Sequence, residues 1–194
     1  GSIDDCEFIR QKIYNLEITP DMLALPPCSG SFVLTDINTG KVKALVSYPG
    51  YDANHINNVS YYASLINNSS SPLYNRATQQ TLAPGSTFKP ISAIAGLEEG
   101  VIDADTYITD YVEYTKVVPH ANCWNSAGHG TINVEQAIEY SCNYFFYEVG
   151  YRLGSKNNTT ELSDSTGLAL LAKYAKMFGL DSVSGLELPE TTPR

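Results

Sequence analysis

The chain has 194 residues, 43% of them hydrophobic, and a net charge of −9 from 12 Lys and Arg against 21 Asp and Glu. That length supports one domain with a real core, and the composition excludes a disordered polymer. The acidic surface, spread without a long run of like charges, repels phosphate backbones and anionic lipid, so no nucleic acid is expected as a partner. No apolar stretch approaches the roughly 18 residues that span a bilayer, and no basic-then-apolar leader opens the chain. Gly1-Ser2 reads as an expression remnant. Residues 1–28 are therefore expected to be that remnant and a lead-in, and residues 29–194 the domain itself.

In chain order, Phe8, Ile9, Ile13 and Leu16 have helical spacing, and Pro20 and Pro26-Pro27 end that run. From Ser31 to Tyr48 the period changes. Phe32, Val33, Leu34 and Ile37 precede Asn38-Thr39-Gly40, and Val42, Ala44, Val46 and Tyr48 then alternate, which predicts a β-hairpin. The nearly apolar first strand implies a sheet covered on both faces. Pro49 to Pro84 reads as one long irregular stretch, with an Asn- and Ser-rich part between Tyr51 and Ser71, of the kind that is functional or disordered.

A helix is expected from Ser86 or Thr87 towards Gly100, buried through Phe88, Ile91, Ile94, Ala95 and Leu97, with Pro90 in its first turn. Asn133 and Gln136 form a capping box for a helix reaching about Tyr140. Phe145, Phe146, Val149 and Leu153 define another, stopped by Gly154. Leu168, Leu171, Ala172, Ala175 and Phe178 define a last amphipathic helix closed by Gly179. The fold class is mixed α+β, with one early strand pair that needs further strands beside it.

Ser86-Thr87-Phe88-Lys89 is the one Ser-x-x-Lys in the chain. On a helix, positions i and i+3 share a face, so hydroxyl and amine can meet. The Pro84-Gly85 turn puts Ser86 at a helix N-terminus, where N–H groups favour a developing oxyanion. Serine needs a base, and a lysine packed on an apolar helix loses hydration and becomes a better one. The letters alone equally fit a capping serine with a solvated lysine. Ser141-Cys142-Asn143 adds a hydroxyl and an amide at a helix junction, while Ser155-Lys156-Asn157 looks like plain loop.

Other constellations are weaker. His120, Cys123 and His129, with Cys142 nearby, have spacing too loose for a zinc set, so no metal is expected. A Cys6–Cys28 disulfide is left open by spacing. Asn58, Asn67, Asn68, Asn157 and Asn158 head Asn-x-Ser/Thr triplets that carry little weight in an Asn-rich chain. His55, His120 and His129 lie in loop-like sequence without a Gly-x-Ser-x-Gly elbow, so a Ser-His-Asp triad has no specific support.

Taken together, these segments resemble the transpeptidase domain of the penicillin-binding proteins, of the class B, monofunctional type. Asp36-Ile37-Asn38-Thr39-Gly40, Ala44-Leu45, Tyr48-Pro49 and Tyr51-Asp52-Ala53-Asn54 are similar to the family's opening hairpin. Leu73-Tyr74-Asn75-Arg76-Ala77 resembles the segment before the active helix. Ala83-Pro84-Gly85-Ser86-Thr87-Phe88-Lys89-Pro90 matches the nucleophile segment almost letter for letter. Cys123-Trp124, Gly128-His129-Gly130 and Ala137 to Asn143 resemble the approach to the second motif, and Gly185 to Pro189 the passage after it. The likeness covers residues 30–190. The family's third motif, Lys-Thr-Gly or Lys-Ser-Gly, does not occur; Thr39-Gly40-Lys41 has the wrong order.

The resemblance implies a penicillin-binding, serine β-lactamase-like fold, an antiparallel sheet flanked by helices, incomplete here for want of C-terminal strands. It implies a peptidoglycan D,D-transpeptidase with Ser86 as nucleophile, Lys89 as proton acceptor, Ser141 as proton relay and Asn143 binding substrate, with no cofactor. Implied partners are stem peptides ending in D-Ala-D-Ala, β-lactam antibiotics and other cell-wall synthesis proteins. Implied too are an extracytoplasmic location with an N-terminal membrane anchor outside this chain, and impaired activity without the third motif. A β-lactam hydrolase or sensor on the same scaffold, and a non-catalytic binding module, are the alternatives.

Overall fold

The computed structural model describes residues 5–15, 17–18, 28–155 and 164–192, with the side chains of residues 5, 6 and 164 excepted. Expected features at Gly1-Ser2, Leu16, Pro20, Pro26-Pro27, Lys156, Asn157, Asn158, Arg194 and the Cys6 side chain lie outside the described residues. The chain forms two compact units, Gly1–Thr81 with Leu186–Thr191, and Leu82–Gly185 with Thr192–Arg194. Among the described residues no helix is long and apolar enough to cross a membrane.

In the first unit α1 (Asp5–Tyr14) precedes the expected hairpin of β1 (Gly30–Thr35) and β2 (Val42–Tyr48). The strands pair antiparallel from Gly30↔Tyr48 to Leu34↔Ala44. The Asp36 carboxylate accepts from the N–H groups of Asn38 and Thr39, both at 3.0 Å, which nucleates the turn. The expectation of two covered faces fails: every β1 residue is exposed, and this is a two-stranded sheet. An apolar strand reports what it is able to bury, while burial itself requires neighbouring elements.

The stretch after Pro49 is also not irregular throughout. It contains a 3₁₀ turn (Ala53–His55), α2 (Val59–Ile66) and α3 (Arg76–Gln79). Asp52, Asn58 and Asn75 each accept from a backbone N–H of the helical turn that follows. The polar residues that suggested loop are thus helix caps. Cys28 is an exposed free thiol.

The second unit opens with a 3₁₀ turn (Gly85–Phe88) that runs into α4 (Lys89–Glu98). Two small antiparallel pairs follow, β3 (Ile108–Asp110) with β6 (Gly130–Ile132), and β4 (Glu113–Tyr114) with β5 (Ala121–Asn122). Strands of two or three residues show no alternation, which is why the sequence did not announce them. Then come α5 (Val134–Glu139), with both bonds of the Asn133–Gln136 capping box formed, α6 (Asn143–Gly154) and α7 (Asp164–Met177). Gly154 is the last residue of α6, with Ser155 as its cap, whereas α7 is followed by Gly179 in the left-handed region.

The core joins Ala93 and Ala95 of α4 to Phe145, Val149 and Leu153 of α6, with Ile102, Ile132 and Tyr174 around them. Burying each large side chain contributes about 2–3 kcal/mol. Gly96 lets α4 and α6 approach closely: a Cβ there would lie 3.0 Å from side-chain atoms of Ile102 and Val149. Buried Glu148 accepts from Tyr114 (2.8 Å), Lys116 (2.8 Å) and Arg152 (2.8 Å). Burial raises its pKa, but these partners prevail and hold the carboxyl below its ordinary range.

Candidate active site

The left-handed Gly85 (φ +59°) turns the chain into the 3₁₀ segment, and Pro90 sits in the first turn of α4, where no N–H is required. A 3₁₀ turn stacks residues i and i+3, so Ser86 and Lys89 face each other. Lys89 Nζ is within hydrogen-bond distance of Ser86 Oγ at 3.1 Å, and Ser86 is exposed. The 3₁₀ turn has no side-chain cap at its N-terminus.

The second half of the site comes from the junction of α5 and α6. Ser141 takes φ +52°, a conformation that costs a non-glycine residue about 1 kcal/mol or more, and Cys142 is extended at the N-cap of α6. Ser141 N–H donates to Ile138 O (3.1 Å) and Cys142 N–H to Ala137 O (2.9 Å). This bend sends successive side chains to opposite sides. Ser141 and Asn143 point at Lys89, and Cys142 points into a buried cluster.

Lys89 Nζ donates to Ser141 O (2.7 Å) and Asn143 Oδ1 (2.7 Å), and lies 2.9 Å from Ser141 Oγ and 3.1 Å from Ser86 Oγ. All four oxygens are uncharged. Two are carbonyl oxygens that only accept, so they take two N–H groups of the amine. The remaining position of the nitrogen faces the hydroxyls, where a lone pair can receive a proton. Burial lowers the Lys89 pKa, with Cys142 and Cys123 acting in the opposite sense. The structure therefore brings Ser86, Lys89, Ser141 and Asn143 together around one nitrogen.

Behind the junction lies the second cluster. His129 Nδ1 is 2.7 Å from Asp110 Oδ2 and 3.4 Å from Cys123 Sγ. Cys142 Sγ is 3.4 Å from Asp110 Oδ2 and 3.9 Å from Cys123 Sγ. All four ligand-type atoms lie within 4.8 Å of one another. The His129 and Asp110 side chains are only 5% and 1% exposed, and His129 Nε2 is buried without a hydrogen-bond partner. Burial raises the Cys142 thiol.

Zinc bonds of about 2.0–2.3 Å define a tetrahedron with edges of roughly 3.3–3.8 Å. The sulfur-containing contacts nearly match those edges. Only the His129–Asp110 contact is shorter, as suits a direct hydrogen bond. The donor types thus suit a soft divalent cation, with separations of up to 4.8 Å that must close slightly around one. His120 takes no part; it is exposed and 3.0 Å from Glu113. His55 pairs with Asp52 on the surface.

Two neighbours of the site were given no role by motif reading. Asp110 reaches the cluster because β3 pairs with β6 in the register Asp110↔Gly130, beside His129, and no local spacing announces that. Trp124 donates its indole N–H to Tyr140 O (3.2 Å) and Ser141 O (3.1 Å). The pair Cys123-Trp124 was a visible sequence signal, although it does not reveal this bond.

Comparison with known proteins settles the family. Residues 30–193 match the penicillin binding protein transpeptidase domain. The chain belongs to that family. It is 33% identical over 165 residues to the peptidoglycan D,D-transpeptidase MrdA of Acinetobacter baumannii, covering 82% of this chain and 23% of that protein. MrdA of Escherichia coli K12 is 35% identical over 163 residues, covering 81% and 24%. The chain thus spans about a quarter of the length of these curated relatives. Among solved structures, the ceftriaxone acyl-enzyme of penicillin-binding protein A from Mycobacterium tuberculosis superposes with TM-score 0.68 at 32% identity, covering 86% of this chain and 37% of that one. The α+β transpeptidase fold expected from the motifs is the fold observed.

Proposed function

We propose that the chain forms the nucleophile-bearing part of a peptidoglycan D,D-transpeptidase. The observation that carries this reading is Lys89 Nζ in contact with Ser86 Oγ, Ser141 Oγ and Asn143 Oδ1 at once. Neutral Lys89 takes the Ser86 proton as Oγ attacks the penultimate D-alanine carbonyl of a stem peptide. The Asn143 carbonyl oxygen is held by Lys89, so its NH₂ is oriented to donate to a substrate amide. When the tetrahedral adduct collapses, the C–N bond breaks, and Ser141 Oγ relays the proton from Lys89 to the departing D-alanine amine. A second stem peptide's amine then attacks the acyl-serine, forming the cross-link and regenerating Ser86. A β-lactam stops at the acyl stage because its leaving group stays tethered.

The uncharged surroundings of Lys89 support slow hydrolysis rather than a β-lactam hydrolase, whose water needs a base. The relatives' names support a site of action on bacterial peptidoglycan, and a structural neighbour from a peptidoglycan synthase complex supports work alongside other cell-wall synthesis proteins, outside the cytoplasm where the polymer lies. The sealed cluster suits a zinc-class cation held by Asp110, Cys123, His129 and Cys142. Bound there, it ties β3, the segment before β6 and the start of α6 together and has no part in acyl transfer.

The test is incubation with a synthetic pentapeptide ending in D-Ala-D-Ala and a D-amino acid acceptor. Released D-alanine and exchanged peptide are expected, both lost in Ser86→Ala. Equal turnover by Ser86→Ala would refute the assignment.

A further inference from the structure

Trp124 is the chain's single tryptophan and 65% exposed, so burial does not explain its placement. Its polar edge is what is held. The indole N–H donates to Ser141 O at 3.1 Å and Tyr140 O at 3.2 Å. Ser141 O also accepts from Lys89 Nζ at 2.7 Å. One carbonyl therefore receives both the indole and the amine, and it belongs to the residue with the left-handed backbone. A serine leaves φ +52° for the extended region unless something restrains it. On the other side, the indole ring stands edge-on to His129 at 5.2 Å and 62°, and Cys123 in the neighbouring position is buried.

We infer that Trp124 is a positioning residue for acyl transfer: its N–H holds the Ser141 carbonyl in the left-handed bend, and so fixes Lys89 and the Ser141 hydroxyl relative to Ser86. The physical sequence is short. If the indole bond is lost, Ser141 relaxes and its carbonyl turns away from Lys89. The amine then loses one of the two pure acceptors that orient its third position towards the hydroxyls. The Ser141 hydroxyl, now 2.9 Å from Nζ, is carried on the Cα beside that carbonyl and shifts when the residue leaves its bend. Acylation slows because the reacting groups spend less time aligned. This inference rests on Ser86 being the acylated serine.

Because Trp124 is the sole tryptophan, the whole chain can be produced with β-(3-benzothienyl)alanine in its place. That side chain has the same ring outline with sulfur where the N–H was. The second-order rate of acylation by a fluorescent penicillin is expected to fall about five- to tenfold, the worth of one hydrogen bond, with the melting temperature unchanged. An unchanged rate overturns the inference. So does a rate loss that merely tracks a loss of folded protein, which would mark Trp124 as structural. Independently of any acylation, the single indole N–H resonance is expected to exchange slowly with solvent, and fast exchange overturns the inference. If the unsubstituted chain is not acylated at all, the assignment of Ser86 fails, and slow indole exchange still separates that failure from this one.

Discussion

Ser141, Cys142 and Asn143 are consecutive, yet they serve two regions of opposite character. Ser141 and Asn143 face an open polar site where every oxygen around Lys89 is uncharged and Ser86 is exposed. Cys142 faces a closed site whose Asp110 and His129 side chains are almost fully buried and whose four ligand-type atoms hold each other. The open site presents an amine and two hydroxyls to solvent, as the proposed acyl transfer requires. The closed one is built to stay put. One strained residue at φ +52° divides them, turning neighbouring side chains to the two sites.

The largest effect expected is on the open side. Lys89→Met keeps an unbranched side chain as far as Cε but removes the amine, and penicillin acylation should fall about 10²–10⁴-fold, measured by stopped-flow or mass spectrometry. Loss of less than tenfold would mean that Lys89 is not the proton acceptor. On the closed side, a zinc-loaded chain should lose about 4 kcal/mol of stability on chelation from zinc at a thousandfold its Kd, read by denaturant titration. No shift on chelation, with no metal by elemental analysis, would leave the cluster a hydrogen-bonded one.

Gly128→Ala strikes the same side without a metal. Gly128 has φ +71°, and a Cβ there would sit 2.7 Å from the Asp110 carbonyl oxygen. A loss of about 2–4 kcal/mol is expected from strain and displacement of backbone. Denaturation that leaves this variant as stable as the parent would show that Asp110 is not held as described.

pH sharpens the comparison further. Burial holds Lys89 below its ordinary 10.5. Acylation needs the neutral amine, so its rate should rise about tenfold per pH unit below the lowered pKa and level off above it. The linkage has the same sign. Between the folded and unfolded pKa values the unfolded chain binds more protons, so stability rises with pH there. A rate that falls with rising pH in that window would contradict the role of Lys89. The smallest effect is expected at the entry to the junction. Asn133→Ala removes the capping box of α5 and should cost about 1 kcal/mol in a thermal melt, with little change in acylation.

How much of this was legible in the sequence depended on range. The hairpin of β1 and β2, the Asn133–Gln136 capping box and the Ser86–Lys89 pairing are local, set by residues a few positions apart, and the motifs pointed to them. Asp110 was not legible, because it joins Cys123 and His129 only through the pairing of β3 with β6. Spacing gave only a loose set for the same reason: it counted His120, which the fold leaves on the surface, and could not count Asp110, which the fold places beside Cys123 and His129. The Asn-rich stretch failed differently. Asn58 lies in the part expected to be irregular, but it caps a short helix, since the same side-chain oxygen that favours turns also accepts a helix's first N–H groups.

The most direct measurement is intact-mass spectrometry of the chain after incubation with benzylpenicillin, followed by peptide mapping, beside Ser86→Ala. The account expects a single penicilloyl adduct on the peptide containing Ser86 and none in the variant. An adduct that survives Ser86→Ala, or one mapped to another residue, would contradict it.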